Sequence, residues 1–304
     1  MHIKTVLLLP FFFVLAISCK KKSEDTPLAE VPERLEISPA TTSLFKGSSV
    51  NLTLTYFNKF GLPSNLPVDI VWSSNNSNVA TVSNLGVVSG VNAGQAQIRA
   101  VYNSVEALSF ISVVADTNQL AKVSISQGSR IEIIRGQSVG LVANGQTITG
   151  NNISGLNFSW NSSNPDIADV DANGLVLAKS YGTSFISAGS MGISSPGTMV
   201  QVIRQGNFSG KGSGGSAKLK IENNILRLET SADFTSASSP PDLRLYLSNS
   251  SQNVNGATEI ATIGQRTGTQ GWNVPGSVSI SQYKYIVIWC KQYSVYYGVA
   301  DLGN

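Results

Sequence analysis

Apolar residues fall along this chain in short bursts of strand length. Val50, Leu52 and Leu54 alternate with polar neighbours, the period of two that a sheet with one buried face requires. Ala80 and Val82 repeat the alternation, which turns at Asn84-Leu85-Gly86 and resumes at Val87-Val88. Gly86 is expected to supply the positive φ of a hairpin turn. Later bursts at 217–221, 225–228, 243–247, 259–263, 277–280 and 285–290 read as six further strands. Gly and Pro punctuate them at 212–215, Pro240-Pro241, Gly268 and Pro275-Gly276. No convincing amphipathic helix emerges, so the fold class is all-β.

The pattern also repeats. Trp72 and Trp160 stand 88 residues apart, as do Ala80 and Ala168, Gly86 and Gly174, and Gly94 and Gly182. Upstream, Lys46-Gly47 matches Arg135-Gly136 at a spacing of 89, so one indel separates two tandem copies. Short strands with turn clusters at this spacing predict a sandwich in each copy, with Trp72 and Trp160 as core plugs between two sheets. Within the second copy, Asp169, Asp171 and Asn173 mimic the start of a calcium-binding loop. Its twelfth position is Ser180 rather than a bidentate Glu, and the first copy has no carboxylates there. A hairpin turn is the better reading, and no metal site is expected.

The N-terminus is different. A continuous apolar run, 6–17, follows a short basic start at Lys4. It is shorter than the roughly 20 residues of a membrane span, and Pro10 interrupts it. A basic start, a short apolar stretch and small residues before a cut describe a secretory signal. Residues 20–33 are charged, contain proline and are poor in apolar side chains, which suits a disordered tether.

Composition narrows the chemistry. The only histidine among 304 residues is His2, inside the signal. Ser-His-Asp and Cys-His catalysis, His-ligated zinc and His-ligated haem are therefore excluded from the mature chain. An enzyme becomes the weaker expectation. The net charge of +3 gives no argument for nucleic acid. The two cysteines are Cys19 and Cys290. With Cys19 modified, Cys290 is the only thiol and no intramolecular disulfide can form.

Three resemblances follow from these residues. Leu15-Ala16-Ile17-Ser18-Cys19 resembles the lipobox of bacterial lipoproteins. That implies a signal peptide at 1–18, a diacylglycerol on Cys19 and a lipidated tether at 19–33. Two or more acyl chains anchor stably, at about 0.8 kcal/mol per buried CH₂. The implied location is the cell envelope, lipid-anchored at the outer membrane on either its surface or its periplasmic side. The lysines before Glu24-Asp25 also resemble the surface-export signal of Bacteroidetes lipoproteins, and a solvated linker explains them equally well. The two copies, assigned as 34–115 and 121–203, resemble bacterial Ig-like domains of group 2, as in invasin- and intimin-like proteins. The pattern is W-x-S-x-N-x-x-V/I-A-x-V-x-x-x-G-x-V, with Gly94-Gln-Ala-Gln-Ile98 beyond it. The resemblance implies spacers or adhesive modules and no chemistry.

The third domain, 205–304, resembles the DM13 family through Gly206-Asn-Phe208, Pro241-Asp242-Leu243 and Trp289-Cys290-Lys291 followed by Gly298. Another β-sandwich-type fold is expected here. The resemblance implies extracellular electron transfer, with Cys290 as a redox thiol or the ligand of a cofactor such as haem or copper. Asp242, Trp289 and Gly298 are family-motif residues with structural roles, Asp242 capping a turn through its carboxylate. Taken alone, the residues leave two readings of Cys290 open. Strand parity puts it on one face with Ile286 and Ile288, where a cysteine is often a small hydrophobe. An unperturbed thiol is only about 3% thiolate at pH 7 and needs a cation, a helix N-terminus or a metal for activation. As a ligand it is the only soft donor of its domain, with Tyr283, Tyr293, Tyr296 or Tyr297 as alternative oxygen donors. Expected partners are the membrane, through the lipid, and an extracellular protein, glycan or redox partner. The alternative function is adhesion or structure without redox chemistry.

Overall fold

A computed structural model describes residues 30–303 of the chain. The expected signal peptide, Cys19 and most of the expected tether lie outside them. Strands and turns account for the described residues without a helix, and hence without one long and apolar enough to cross a membrane. Three separate apolar cores are formed.

The first core, around Ile98, Ile111, Val88 and Ala80, is sealed between sheets. One sheet runs Thr41–Phe45, Val105–Val114, Gly94–Tyr102, Val71–Ser74. Opposite lie Arg34–Ser38 with Thr53–Phe57, and Ser49–Asn51 with Val87–Gly90 and Ala80–Val82. Thr41–Phe45 pairs with Val105–Val114 in parallel, and the other pairings are antiparallel. The second core, around Ile186, Val176 and Val200, repeats this arrangement. Its parallel pair is Arg130–Ile134 with Thr198–Gly210. The duplication read at 88–89 residues is thus a duplication of fold.

The repeat tryptophans differ from expectation. Trp72 and Trp160 are half-buried at the edge of each core rather than plugging its centre. Each indole lies over its turn glycine. A Cβ on Gly174 would stand 2.6 Å from Trp160 Cζ2, and one on Gly86 would stand 3.0 Å from Trp72 Cζ2. With φ at 77° and 82°, Gly86 and Gly174 are needed for both turn and approach. The calcium-like segment is a turn as expected. Asp171 Oδ1 accepts from the N–H of Asn173 (2.9 Å) and Leu175 (2.8 Å), and Asp169 pairs with Lys179.

The joint between the two Ig-like domains is thin and polar. Ser43 Oγ donates to Ala121 O at 2.8 Å. The Gln95 amide donates to Ser194 O at 2.9 Å and accepts from Ser194 N–H at 3.0 Å. A cleft of about 320 Å³ remains beside these contacts, lined by Thr41, Gln95, Lys122 and Thr147 among others.

The second joint is built otherwise. Thr198–Gly210 is one strand of 13 residues, and the change of domain takes place within it. Up to Ile203 it belongs to the second Ig-like sheet. Arg204–Asn207 pairs with Ser216–Glu222, and Phe208–Gly210 pairs with Val295–Asp301. The strand therefore seeds both sheets of the third domain. One continues through Ser216–Glu222, Ile225–Thr230 and Gly271–Asn273. The other continues through Val295–Asp301, Tyr285–Cys290, Leu243–Ser248 and Thr258–Thr262. Phe234, Leu228, Leu245, Ile286 and Ile288 fill the space between. The expected strand at 277–280 does not form. Pro275-Gly276 opens a turn in which Val278 N–H bonds to Pro275 O, and the Val278 side chain drops into the core.

Polar groups reinforce this joint. Arg204, 3% exposed, donates to the carbonyls of Ile280 (2.9 Å), Tyr283 (2.7 Å) and Gly303. Glu132 of the second Ig-like domain bonds Lys218 Nζ at 2.6 Å, and Lys218 in turn pairs with Glu229. Arg130 reaches Gln201 and Glu222. Lys220, nearly buried, pairs with Glu229 at 2.7 Å.

Candidate functional site

Cys290 ends the central strand Tyr285–Cys290 of the third domain. Its Cα is in register with Leu243 on one side and Val295 on the other. Parity holds: Ile286, Ile288 and Cys290 all lie in the core cluster, and Trp289 is only partly buried on the other face. The cysteine is 0% exposed. Leu243, Leu245 and Leu247, in register with the same inward positions, complete an apolar wall.

The outer face carries a charged cluster. Arg244 donates to Asp242 (2.6 Å) and to Glu259 Oε1 (2.6 Å). Glu259 Oε2 accepts from Tyr246 (2.8 Å) and Lys291 (2.9 Å). Lys291, Tyr246 and Arg244 together hold the Glu259 carboxyl down at about 2, against an opposing push from burial. Burial first, then the bond to Glu259, raises the Tyr246 phenol to about 12. Hydrogen bonds and ion pairs tie these side chains to one another. Asp242 differs from the expected turn cap. Its carboxylate binds Arg244, and its backbone carbonyl receives Lys291 N–H at 2.9 Å. The Arg244–Glu259–Lys291 arrangement escaped the sequence reading. Its available signal was the outward parity of Arg244 and Tyr246 between inward leucines.

Gly298 lies in register with both Ile288 and Gly210. A Cβ there would stand 2.6 Å from Ser213 Oγ, which bonds to Tyr297 O. The need for glycine is therefore close packing of the 210–215 turn. Trp289 is in register with Arg244 and Tyr296 on the outer face.

A haem or a copper ion does not fit at Cys290 in this packing. The thiol is enclosed by leucine, isoleucine and valine, and no group of three His, Cys, Asp or Glu among the described residues is placed to hold a metal. Tyr283, Tyr293 and Tyr296 do not offer their oxygens to it either. Tyr283 OH is bonded to Thr258 Oγ1 at 2.9 Å, Tyr296 OH to Ser209 O at 3.3 Å, and Tyr293 is exposed.

Comparison with known proteins agrees with the three-core architecture. A bacterial Ig-like domain (group 2) matches at residues 33–110 and again at 120–191, and the domain described as Electron transfer DM13 matches residues 207–302. Ice-binding protein 1 of Shewanella frigidimarina (strain NCIMB 400) is 31% identical over 156 residues, 51% of this chain. The chain thereby spans only 17% of that relative's length. Among solved structures, domains 4 and 5 of the S-layer protein SbsC align with 57% of this chain and 98% of theirs, at 17% identity and a TM-score of 0.25. The EC1-2 segment of human Protocadherin-24 covers 57% of this chain and 98% of its own, at 11% identity and a TM-score of 0.21. The chain thus carries two bacterial Ig-like domains of group 2 followed by an Electron transfer DM13 domain.

Proposed function

We propose that this chain is an exported lipoprotein of the cell envelope, held by an acyl anchor on Cys19, whose paired Ig-like domains display the DM13 domain away from the membrane. The observation that carries this reading is the strand Thr198–Gly210, which builds the second Ig-like domain and the DM13 domain into one body. A spacer welded to its cargo fixes where that cargo is held. The DM13 domain is the electron-transfer end of the molecule, and Cys290, the one thiol left after acylation, is the group through which such chemistry would run. With no space for a cofactor at the thiol, that role requires the strand around Cys290 to open.

The complete burial of Cys290 favours a second reading, in which the whole β array serves adhesion or envelope structure and Cys290 only packs the core. One titration separates the two. The whole protein is treated with a chromophoric disulfide, native and denatured, and its spectrum is recorded with haem and with copper. The redox reading expects native-state reaction of Cys290 within the time of the assay, or a new absorption band. Reaction only after denaturation, with no band from either cofactor, overturns it. Cys290→Ser places a hydroxyl among leucines and is expected to cost about 1–3 kcal/mol in urea unfolding under either reading.

A further inference from the structure

The two Ig-like domains share a fold but not the use of their ends. In the second, the end that carries the start of Leu120–Ile125, the turn after Ala143–Thr147 and the hairpin Ser190–Ile193 is set against the first domain. Ser194 bonds Gln95 there, and Thr147, Ile148 and Gly150 line the cleft between the two. The corresponding end of the first domain carries the start of Arg34–Ser38, the turn after Thr53–Phe57 and the hairpin at Tyr102–Val105. Antiparallel pairing places these together, opposite to the end at Val114 where the second domain follows.

That free end is apolar. Phe60, Leu62, Leu66, Val68 and Val71 are exposed there, Val68 at 96%, Leu62 at 52% and Leu66 at 50%. These five of the eighteen large hydrophobic residues exposed among the described residues fall within residues 60–71, and Val31 is a sixth near the chain's entry. In the second domain the residues of the same stretch, Ile153, Leu156 and Phe158, pack onto their own core. Ile70 packs likewise in the first domain, whereas Leu62, Leu66, Val68 and Val71 stay exposed.

The chain enters at this end. Val31 N–H bonds Lys59 O at 2.7 Å, and Lys59 Nζ pairs with Glu30 at 2.7 Å. The entry point is thus pinned to the turn that carries Phe60 and Leu62. Only residues 20–29 separate Glu30 from Cys19, a span of at most about 40 Å even when fully extended.

We propose that the apolar end of the first Ig-like domain, Phe60, Leu62, Leu66, Val68 and Val71, docks on the lipid surface to which Cys19 is anchored. This deepens the anchored reading and rests on it. The acyl chains hold the protein at the bilayer, and the loops enter the headgroup region, where apolar side chains gain from leaving water. Contact at this end orients the array, so that the Ig-like pair and the DM13 domain stand up from the membrane. Lys20, Lys21 and Lys22, next to the anchor in sequence, favour anionic headgroups at the same place.

The test uses the mature chain, 19–304, carrying Cys19→Ser, so that no acyl group assists. Binding is measured by co-sedimentation with phosphatidylcholine vesicles, with and without phosphatidylglycerol. Weak, saturable partitioning is expected. The triple substitution Leu62→Ser, Leu66→Ser, Val68→Ser is expected to reduce it about tenfold or more. These side chains are exposed, so the thermal melt of the variant is expected to match its parent. A second variant, Ile225→Ser, alters an exposed apolar residue of the DM13 domain and is expected to bind unchanged. No partitioning, or equal partitioning by the triple variant, overturns the docking. So does a concentration-dependent dimer lost in the triple variant, which would give the surface to a second copy. The anchor is read separately, by labelling the full chain in cells with an alkyne fatty acid. Label absent from Cys19 overturns the anchored reading and the docking with it. Label present without vesicle binding overturns the docking alone.

Discussion

The molecule has two joints, and they are made of different things. Between the Ig-like domains the chain crosses through an irregular connection, and a few neutral hydrogen bonds from Ser43 and Gln95 set the angle. Between the second Ig-like domain and the DM13 domain no connection exists as such, because one strand belongs to both. A buried arginine and a lattice of carboxylates and lysines close around it. The first joint can yield without unfolding either neighbour. The second cannot be opened without breaking sheet pairing on both sides. An array that resists bending at this joint and yields at the other keeps the DM13 domain in a fixed relation to the domain beneath it.

The largest test of this contrast is Arg204→Ala. It leaves three buried carbonyls without their donor, and the expected loss is about 3–5 kcal/mol by urea unfolding. The DM13 domain and the second Ig-like domain are expected to unfold together in the parent and to separate in the variant. A single unchanged transition would show that Arg204 is not a fastener. Acid comes next. Burial alone would push Glu229 upward, but bonds from Lys220 and Lys218 outweigh it and hold the carboxyl below its ordinary value. Glu259 is held lower still, at about 2, by Lys291, Tyr246 and Arg244. A carboxyl depressed in the folded state contributes stability that is present above its unfolded value, near 4.5, and is lost as pH falls toward the folded value. The DM13 domain is therefore expected to lose stability between about pH 4.5 and 2, while the hydrogen bonds between Gln95 and Ser194, which involve no titrating side chain, are expected to persist. Amide exchange followed across that range by mass spectrometry would report each joint separately. The smallest effect belongs to Gln95→Ala. Its two exposed hydrogen bonds contribute no more than about 1 kcal/mol, so the melting temperature stays nearly constant. Small-angle scattering should instead show a wider spread of angles between the Ig-like domains. A large loss of stability would mean that this joint, too, is part of a core.

Much of this was legible because backbone geometry depends on residue type in simple ways. The spacing of Trp72, Gly86 and Gly94 against Trp160, Gly174 and Gly182 announced two equal folds, and the glycine turns needed only a positive φ and an absent Cβ. The inward placement of Cys290 followed from parity alone. The shared strand did not show itself, since Arg204 and Gly206 interrupt its apolar pattern. Their reasons are non-local: the arginine answers carbonyls 76 to 99 residues away, and the glycine passes the backbone of Asp301. The strand expected at 277–280 failed for the opposite reason. Alternation survives there, but Pro275-Gly276 turns the chain and spends Val278 as a single plug. Asp242 looked like a local cap because its partners, Arg244 and the amide of Lys291, are set by sheet register that no short window contains.

The parallel pairing of Arg130–Ile134 with Thr198–Gly210 has a mechanical consequence. Suppose a membrane holds one end of the array while a partner drags on the other. In each Ig-like domain the pull enters near the start of the earlier strand and leaves by the far end of the later one. The rungs between them, Arg130 to Met199 through Ile134 to Ile203, are then loaded side by side in shear, and none can be peeled open ahead of its neighbours. Thr41–Phe45 and Val105–Val114 form the same clamp in the first Ig-like domain. Resistance to traction is set by the rate of crossing an unfolding barrier rather than by equilibrium stability, and these paired rungs stand directly in the line of force.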